Sequence, residues 1–247
     1  MMSDNYNIDR LTKGVTTMHK LIVFDLDGTL APIGKGMLAE DMTKLRELEA
    51  LGYRIAICSG KPTFYLCGFM RQIGLQEPIL VGENGGVIQY GVELPPKRFC
   101  ICPHSERAAE QLRRIKEQIT AVCGGRVWFQ PNEVEVTPFP KDMEVFELIQ
   151  GIIDAHPEEL DELLIYRQVD CFDFIPKNVN KAAGLTYLAA LEGLTRTDFV
   201  AVGDGINDVP MFEFADVSVG IGGKLEYKTT YSFERIGDAL DMLMKDC

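Results

Sequence analysis

The sequence has few of the residues that build nitrogen- and sulfur-ligated metal sites. It contains three histidines, and its seven cysteines form no C-x-x-C pair with histidine at zinc-finger spacing. This pattern excludes a zinc finger and disfavours hydrolase mechanisms that need imidazole ligands. Because the cysteine count is odd, we expect reduced thiols in a cytoplasmic protein and not a disulfide framework.

Basic residues and long apolar runs are also scarce. Lysine and arginine total 25 against 37 acidic residues, a net charge of −12, so nonspecific nucleic-acid binding is not expected. No apolar stretch reaches 18 residues, which argues against a membrane span. The first 18 residues lack the apolar core of a secretion signal, and we expect a disordered extension there, with Met1, Met2 or Met18 as the native start.

Four short polar segments stand where predicted strands end or helices begin. The apolar runs Lys20–Phe24, Arg54–Cys58 and Val200–Val202 have the length and composition of buried parallel strands. Open α/β sheets bind ligands at the carboxyl ends of such strands, so the polar segments are predicted to share one edge. These segments are Asp25–Thr29, Ser59–Lys61, Asn180–Lys181 and Gly203–Asp208.

The acidic residues of these segments suit a magnesium site. Asp25 and Asp27 alternate along the chain and can project to the same side of the sheet. Carboxylates that lie close together repel unless a cation, a proton or a donor stabilises them. Mg²⁺ prefers oxygen ligands and is commonly held by a few carboxylates and a substrate phosphate.

The remaining segments suit phosphate binding. Ser59 and Gly60 precede Pro62, a residue favoured at the first position of a helix, so a hydroxyl and free backbone N–H groups are predicted at a helix start. Lys181 stands before an apolar helical pattern and offers a positive charge. A lone lysine at such a position is usually a solvated surface residue.

Together, in this order, the four segments resemble the motifs of the haloacid dehalogenase superfamily, specifically Cof-type phosphatases with a type IIB cap, a group that includes sugar phosphatases and phosphoglycolate phosphatases. The resemblance runs from about Lys20 to the end of the chain. It implies that Asp25 is a nucleophile that forms an aspartyl-phosphate, and that Asp27 is the general acid and base. Ser59 and Lys181 would stabilise the transferring phosphoryl group.

The same resemblance implies the rest of the site. Mg²⁺ would be bound by Asp25, Asp27 through its carbonyl, Asp204 and Asp208. Phosphate or substrate contacts would come from Thr29, Ser59, Gly60, Asn84, Lys181 and Asn207. Asn84 either approaches the substrate or only forms the turn that its Asn-Gly sequence predicts.

Position 27 distinguishes members of this superfamily. Dehalogenases lack this acid because a halide leaves without a proton, and ion-pumping ATPases carry threonine there. We therefore expect a phosphomonoester hydrolase that acts on a small soluble phosphorylated metabolite, without nucleic-acid or membrane partners. The alternatives are a phosphomutase or phosphotransferase that uses the same aspartyl-phosphate, and a catalytically silent binding protein with the same fold.

The order of predicted elements indicates an α/β fold with a doubly wound, mostly parallel sheet and an inserted α+β cap. Four parallel strands are predicted, in a catalytic core formed by residues 19–86 and 177–247. The cap, residues 87–176, is predicted as helix–strand–strand repeated twice, with its first two strands at 126–130 and 133–137.

Alternation in these two cap strands predicts one buried and one polar face. Val127, Phe129, Val134 and Val136 are expected to pack on the cap helices, while Arg126, Trp128, Gln130, Glu133, Glu135 and Thr137 face the other way. In capped relatives the open face covers the active site, so Arg126, Trp128 and Gln130 are candidates for substrate specificity. An ordinary solvated face is the alternative.

Overall fold

The computed structural model describes residues 21–223 and 226–245. The predicted N-terminal extension, residues 1–18, lies outside this part of the chain. Among the helices that are described, none is both long enough and apolar enough to cross a lipid bilayer.

A central eight-stranded sheet with helices on both faces gives the α/β fold that the sequence predicts. The strands of the described residues are β1 (Leu21–Phe24), β2 (Arg54–Cys58), β3 (Ile79–Gly82), β4 (Val87–Tyr90), β5 (Arg98–Ile101), β6 (Val127–Phe129), β7 (Pro138–Pro140), β8 (Leu163–Arg167), β9 (Phe172–Pro176), β10 (Phe199–Gly203), β11 (Val217–Ile221) and β12 (Tyr231–Phe233). The central sheet has the order β12-β11-β10-β1-β2-β3-β4-β5. Its first six strands are parallel, and β4 and β5 are antiparallel.

Different helices bury the two faces of this sheet. The described α-helices are α1 (Ala39–Ala50), α2 (Thr63–Ile73), α3 (Glu106–Cys123), α4 (Met143–Ala155), α5 (Lys181–Glu192), α6 (Val209–Phe214) and α7 (Ile236–Lys245). On one face α1, α2 and α7 bury residues such as Leu45, Leu66 and Leu240, and on the other α5 and α6 bury Leu188 and Met211. Each fully buried leucine of this kind contributes about 1.5–3 kcal/mol.

The register of the central strands brings the predicted motifs to one edge. Phe24 at the end of β1 pairs with Ile57 of β2 and with Val202 of β10. The residues that follow these strands, including Asp25 and Asp204, therefore leave the sheet side by side.

Between β5 and α5 the chain builds a separate hydrophobic cluster. There α3 and α4 pack against two antiparallel hairpins, β6–β7 and β8–β9, which a bridge between Val136 and Phe174 connects. Phe172 and Phe174 are fully buried between these helices and hairpins. The division of the chain into a core and a cap stays a prediction.

The central sheet extends further than expected. Strands β4 and β5, which fall in the predicted cap segment 87–176, belong to the central sheet, because β4 folds back on β3 and β5 continues the antiparallel ladder. Strands β11 and β12 and helix α7 were not predicted. They extend the parallel sheet beyond the four predicted strands.

The predicted cap strand at 133–137 is wrong. Its partner strand β6 pairs instead with Pro138–Pro140, and the backbone N–H groups of residues 133–135 donate to the Glu83 side chain. Val134 packs with Val87 of the central sheet and not on the cap helices. Glu135 and Thr137, predicted on an open polar face, are buried.

Candidate active site

Three carboxylates converge at the carboxyl ends of β1 and β10. Asp25 directly follows β1, and Asp204 and Asp208 follow β10. They each offer an oxygen atom, and these atoms lie within 4.8 Å of one another. Such a set of hard oxygen donors fits a divalent cation of the Mg²⁺ class.

Lys181 reaches the same cluster from the first position of α5. Its ammonium donates to Asp25 Oδ1 at 2.6 Å and to Asp208 Oδ1 at 2.5 Å, with all three side chains buried. Asn180 begins the helix by accepting the backbone N–H of Ala183. The lysine is therefore a buried partner of the acids and not a solvated surface residue.

Burial and mutual charge set the protonation of this cluster. Burial raises the pKa of Asp25 to about 6, with Lys181 opposing the shift and Asp208 adding to it. Burial disfavours the charged form of Lys181, but the carboxylates of Asp25 and Asp208 outweigh this effect and raise the pKa of the lysine. Lys181 is therefore charged at neutral pH.

Thr29 and Gly28 hold Asp204 in place. The Thr29 hydroxyl donates to Asp204 Oδ1 at 2.8 Å. Gly28 has a φ of +98°, and an added Cβ would lie 2.3 Å from Asp204 Oδ2, so only glycine fits this turn. Burial raises the pKa of Asp204, and the Thr29 hydrogen bond opposes this shift.

The carboxylate of Asp208 organises the loop after β10. Its Oδ2 accepts the backbone N–H groups of Asp204 and Gly205, both at 2.9 Å, while Oδ1 accepts from Lys181. The predicted phosphate contact Asn207 is exposed in the same loop, beside Gly205.

The side chain of Asp27 is more exposed to solvent than that of Asp25. Its side chain is partly exposed, and its Oδ2 is 3.9 Å from the ammonium of Lys61. Two neighbouring carboxylates in different surroundings can take different roles in acid–base chemistry.

Ser59 and Gly60 form a turn between β2 and α2. The buried Ser59 hydroxyl accepts the backbone N–H of Lys61 at 3.2 Å. An added Cβ on Gly60 would lie 3.2 Å from Asn84 Oδ1, so the Asn84 side chain packs directly on this turn.

The three candidate specificity residues have partners within the predicted cap segment. The Arg126 guanidinium binds the carboxylates of Asp142 and Glu144 at the start of α4. Gln130 donates to Asn132. Trp128 is half exposed and packs against Phe139, with 5.4 Å between ring centroids.

Sequence reasoning missed two buried acids beside the site, Glu83 and Glu135. Asn84 Nδ2 donates to Glu135 Oε1 at 2.9 Å, and Glu83 accepts from the backbone N–H groups of residues 133–135. The sequence offers one signal that Glu83 lies beside the site, which is its position directly before the Asn-Gly turn. The partners of Glu83, residues 133–135, are 50 positions or more away, so no local pattern connects them.

The cysteines between residues 21 and 245 are not among the residues of this cluster. The six cysteines of the described residues are free thiols, and burial raises the pKa of the nearest one, Cys58, to about 12. A second candidate group of metal ligands in the described residues, His156, Glu158 and Glu159, is exposed and follows α4.

Comparison with known proteins identifies similar sequences and folds. A family model described as haloacid dehalogenase-like hydrolase matches residues 22–98 and 129–226. A phosphoglycolate phosphatase of Nitrosopumilus maritimus is 26% identical over 80% of this chain and 81% of its own length. A 5-amino-6-(5-phospho-D-ribitylamino)uracil phosphatase of Bacillus subtilis is 24% identical over 82% of this chain and 84% of its own length.

Solved structures share the fold at lower identity. A haloacid dehalogenase-like hydrolase from Bacteroides thetaiotaomicron superposes with a TM-score of 0.71 at 19% identity, covering 91% of this chain and 99% of its own. A protein from Thermotoga maritima gives a TM-score of 0.73 at 16% identity, with coverages of 92% and 97%.

Proposed function

This chain belongs to the haloacid dehalogenase-like hydrolase family, and we propose that it is a Mg²⁺-dependent phosphomonoester hydrolase that works through an aspartyl-phosphate. The observation that carries the proposal is the convergence of Asp25, Lys181, Asp204 and Asp208 at one edge of the sheet. The names of the curated relatives support the phosphatase class.

Asp25 is the proposed nucleophile. Its carboxylate oxygen bonds to phosphorus while the bond from phosphorus to the leaving alcohol oxygen breaks, so the phosphoryl group passes to the aspartate. The Lys181 hydrogen bond orients the carboxylate. With a pKa of about 6, Asp25 is mostly ionised at neutral pH, as a nucleophile must be.

Asp27 is the proposed general acid and base. It gives its proton to the departing alkoxide, then takes a proton from the water that attacks the aspartyl-phosphate, which releases inorganic phosphate and restores Asp25. Its partial exposure lets water reach it in the second step.

Mg²⁺ would be held by the carboxylates of Asp25 and Asp204 and the backbone carbonyl of Asp27, with Asp208 as a direct ligand or through water. When bound, it neutralises negative charge on the phosphoryl oxygens. Lys181, Ser59 and the backbone N–H of Gly60 would stabilise the same oxygens, with Asn207 beside them. Thr29 acts through Asp204, to which its hydroxyl is bound.

The proposed substrate is a small phosphorylated metabolite. The relatives that match are named for phosphoglycolate and for a phosphorylated ribitylaminouracil, which are both small phosphomonoesters. Arg126, Trp128 and Gln130 remain candidates for recognition of the organic part, and Asn84 is a further candidate because it packs on the Ser59–Gly60 turn.

A panel of phosphorylated metabolites, assayed for phosphate release with Mg²⁺ and with EDTA, tests this function. We expect Mg²⁺-dependent release from at least one metabolite and a phosphorylated Asp25 peptide after rapid acid quench. Transfer of the phosphoryl group to a second alcohol without free phosphate would indicate a phosphotransferase. No turnover of any member of the panel would contradict the proposal.

A further inference from the structure

The turn after β3 connects two parts of the molecule through one buried carboxylate. Glu83, which is 1% exposed, accepts three consecutive backbone N–H groups from cap residues 133–135. The shortest of these bonds, from Val134, is 2.7 Å. Burial raises the pKa of Glu83, and the three backbone N–H groups oppose this shift because they favour the ionised form. The carboxyl group is therefore a polar anchor of the segment.

The same turn is hydrogen-bonded to residues 59–61, which form the proposed phosphate-binding loop between β2 and α2. The backbone N–H of Glu83 donates to the Lys61 carbonyl at 3.1 Å, and that of Asn84 donates to the Ser59 carbonyl at 3.0 Å. Gly85 packs so closely on α5 that an added Cβ would lie 2.4 Å from the Asn180 carbonyl oxygen. The turn therefore contacts the phosphate-binding loop, the helix that carries Lys181, and cap residues 133–135.

The backbone of this turn is held in an unfavourable conformation. Glu83 and Asn84 both have a φ of +52°, a left-handed conformation that asparagine often adopts but that is costly for glutamate. Such conformations persist where the surroundings enforce them, often at functional sites. Here they direct one side chain to the backbone of residues 133–135 and the other to Glu135.

We propose that Glu83 is a positioning residue that seats cap residues 133–135 on the phosphate-binding loop. This contact places Glu135 and Asn84 at the end of the site that receives the organic part of the substrate. This inference rests on the proposed phosphatase function for its kinetic part. Its structural part, the seating of the segment, can be measured without activity.

Hydrogen exchange on the full chain tests the seating. In Glu83→Ala we expect at least about tenfold faster exchange of the amides of residues 133–135, because their acceptor is lost. Glu83→Gln keeps a side-chain carbonyl oxygen and should restore much of the protection. Glu133→Gln changes an exposed side chain of the same segment and should leave exchange as in the wild type.

Kinetics separate positioning from a merely structural role. For the metabolite that is cleaved best, Glu83→Ala should raise KM at least about tenfold with a smaller change in kcat, while kcat/KM for p-nitrophenyl phosphate changes less than about threefold. Glu83→Gln should return KM toward the wild-type value. Equal losses on both substrates would overturn the positioning role.

The two proposals can fail separately. Unchanged exchange of residues 133–135 in Glu83→Ala overturns the seating, even in an active enzyme. A wild type that releases no phosphate contradicts the proposed function, while the exchange measurement still decides the seating. If Glu83→Ala does not fold, judged by circular dichroism, Glu83→Gln decides, because its amide oxygen is a weaker acceptor than the carboxylate. Faster exchange of residues 133–135 than in the wild type supports the seating, and exchange at the wild-type rate overturns it.

Discussion

The ammonium of Lys181 lies 2.6 Å from Asp25 Oδ1, although 156 positions separate the two residues in the chain. Both side chains are buried, so their charges interact with little screening by water. This ion pair connects the first residue of α5 to the residue that follows β1.

Asp25→Asn should abolish turnover. An amide is a poor nucleophile, so we expect phosphate release to fall by at least about 10³-fold with the fold retained. Steady-state phosphate release at saturating Mg²⁺ measures the loss. Asp154→Asn, at an exposed carboxylate on α4, serves as the control and should keep full activity. Substantial residual turnover in Asp25→Asn would reject the nucleophile assignment.

Lys181→Met should destabilise the metal-free protein by about 3–5 kcal/mol at pH 7, because it leaves the buried Asp25 and Asp208 carboxylates without their cation. The folded-state pKa of Asp25, already raised, should rise further. The stability deficit should therefore be larger at pH 7 than at pH 5, where Asp25 is increasingly protonated. Urea unfolding at both pH values measures it, with the exposed Lys141→Met as control. A deficit independent of pH would argue against this coupling.

Thr29→Val should weaken Mg²⁺ binding. The substitution keeps the side-chain shape but removes the hydrogen bond to Asp204 Oδ1, and loss of such support for a metal ligand costs roughly 10–100-fold in affinity. Mg²⁺ titrations of activity should show a higher half-saturation concentration, with kcat near the wild-type value at saturation. Thr120→Val, at an exposed threonine of α3, should leave the titration unchanged. Equal Mg²⁺ requirements for Thr29→Val and the wild type would refute the role of Thr29.

Glu135→Gln should stabilise the protein at neutral pH. Burial raises the pKa of Glu135 well above its ordinary value, with Glu83 and Asp173 adding to the shift and Asn84 opposing it. Such a group stabilises the fold below its unfolded pKa, and this contribution is lost as the pH rises toward the folded pKa. Glutamine keeps an oxygen acceptor for Asn84 and does not ionise.

The advantage of Glu135→Gln should therefore be greatest at neutral pH and should shrink toward pH 4. Thermal unfolding over this pH range measures the difference, and Glu133→Gln is the exposed control. A stability difference that grows as the pH falls would contradict the direction of the shift.

Trp128→Ala should change which substrates are preferred more than it changes basal turnover. Trp128 exposes about half of its surface on the cap, packed against Phe139, and its indole offers an apolar contact to the organic part of a substrate. The ranking of kcat/KM across the metabolite panel should shift, while hydrolysis of p-nitrophenyl phosphate changes little. Phe99→Ala, at the edge strand β5, is the control. An unchanged ranking would leave Trp128 as an ordinary exposed residue.

The fold class was predictable because its evidence is local. Apolar runs of strand length that end in polar turns indicated β1, β2, β3 and β10, and the carboxyl-end rule for parallel sheets predicted one common edge. The helical spacing of apolar residues indicated α1 and α5. The structure confirms the mixed α/β fold.

The errors fall where a distant partner overrides a local pattern. Residues 133–137 alternate like a strand, but the backbone N–H groups of residues 133–135 bond to Glu83, and the strand forms later, at Pro138–Pro140. Arg126 is a candidate substrate contact from its place in the same pattern. Its guanidinium binds the acids at the start of α4, and its role in recognition stays a prediction.

The sequence by itself determined which residue types stand at the ends of the strands, because strand formation and turns depend on neighbouring residues. Tertiary structure alone decided that Lys181 is buried between Asp25 and Asp208, and that Glu83 accepts hydrogen bonds from a segment that begins 50 positions away. Burial and charge pairing depend on distances between segments that are far apart in the chain. For that reason the pKa of Asp25 and the position of residues 133–135 follow from the fold and not from any local pattern.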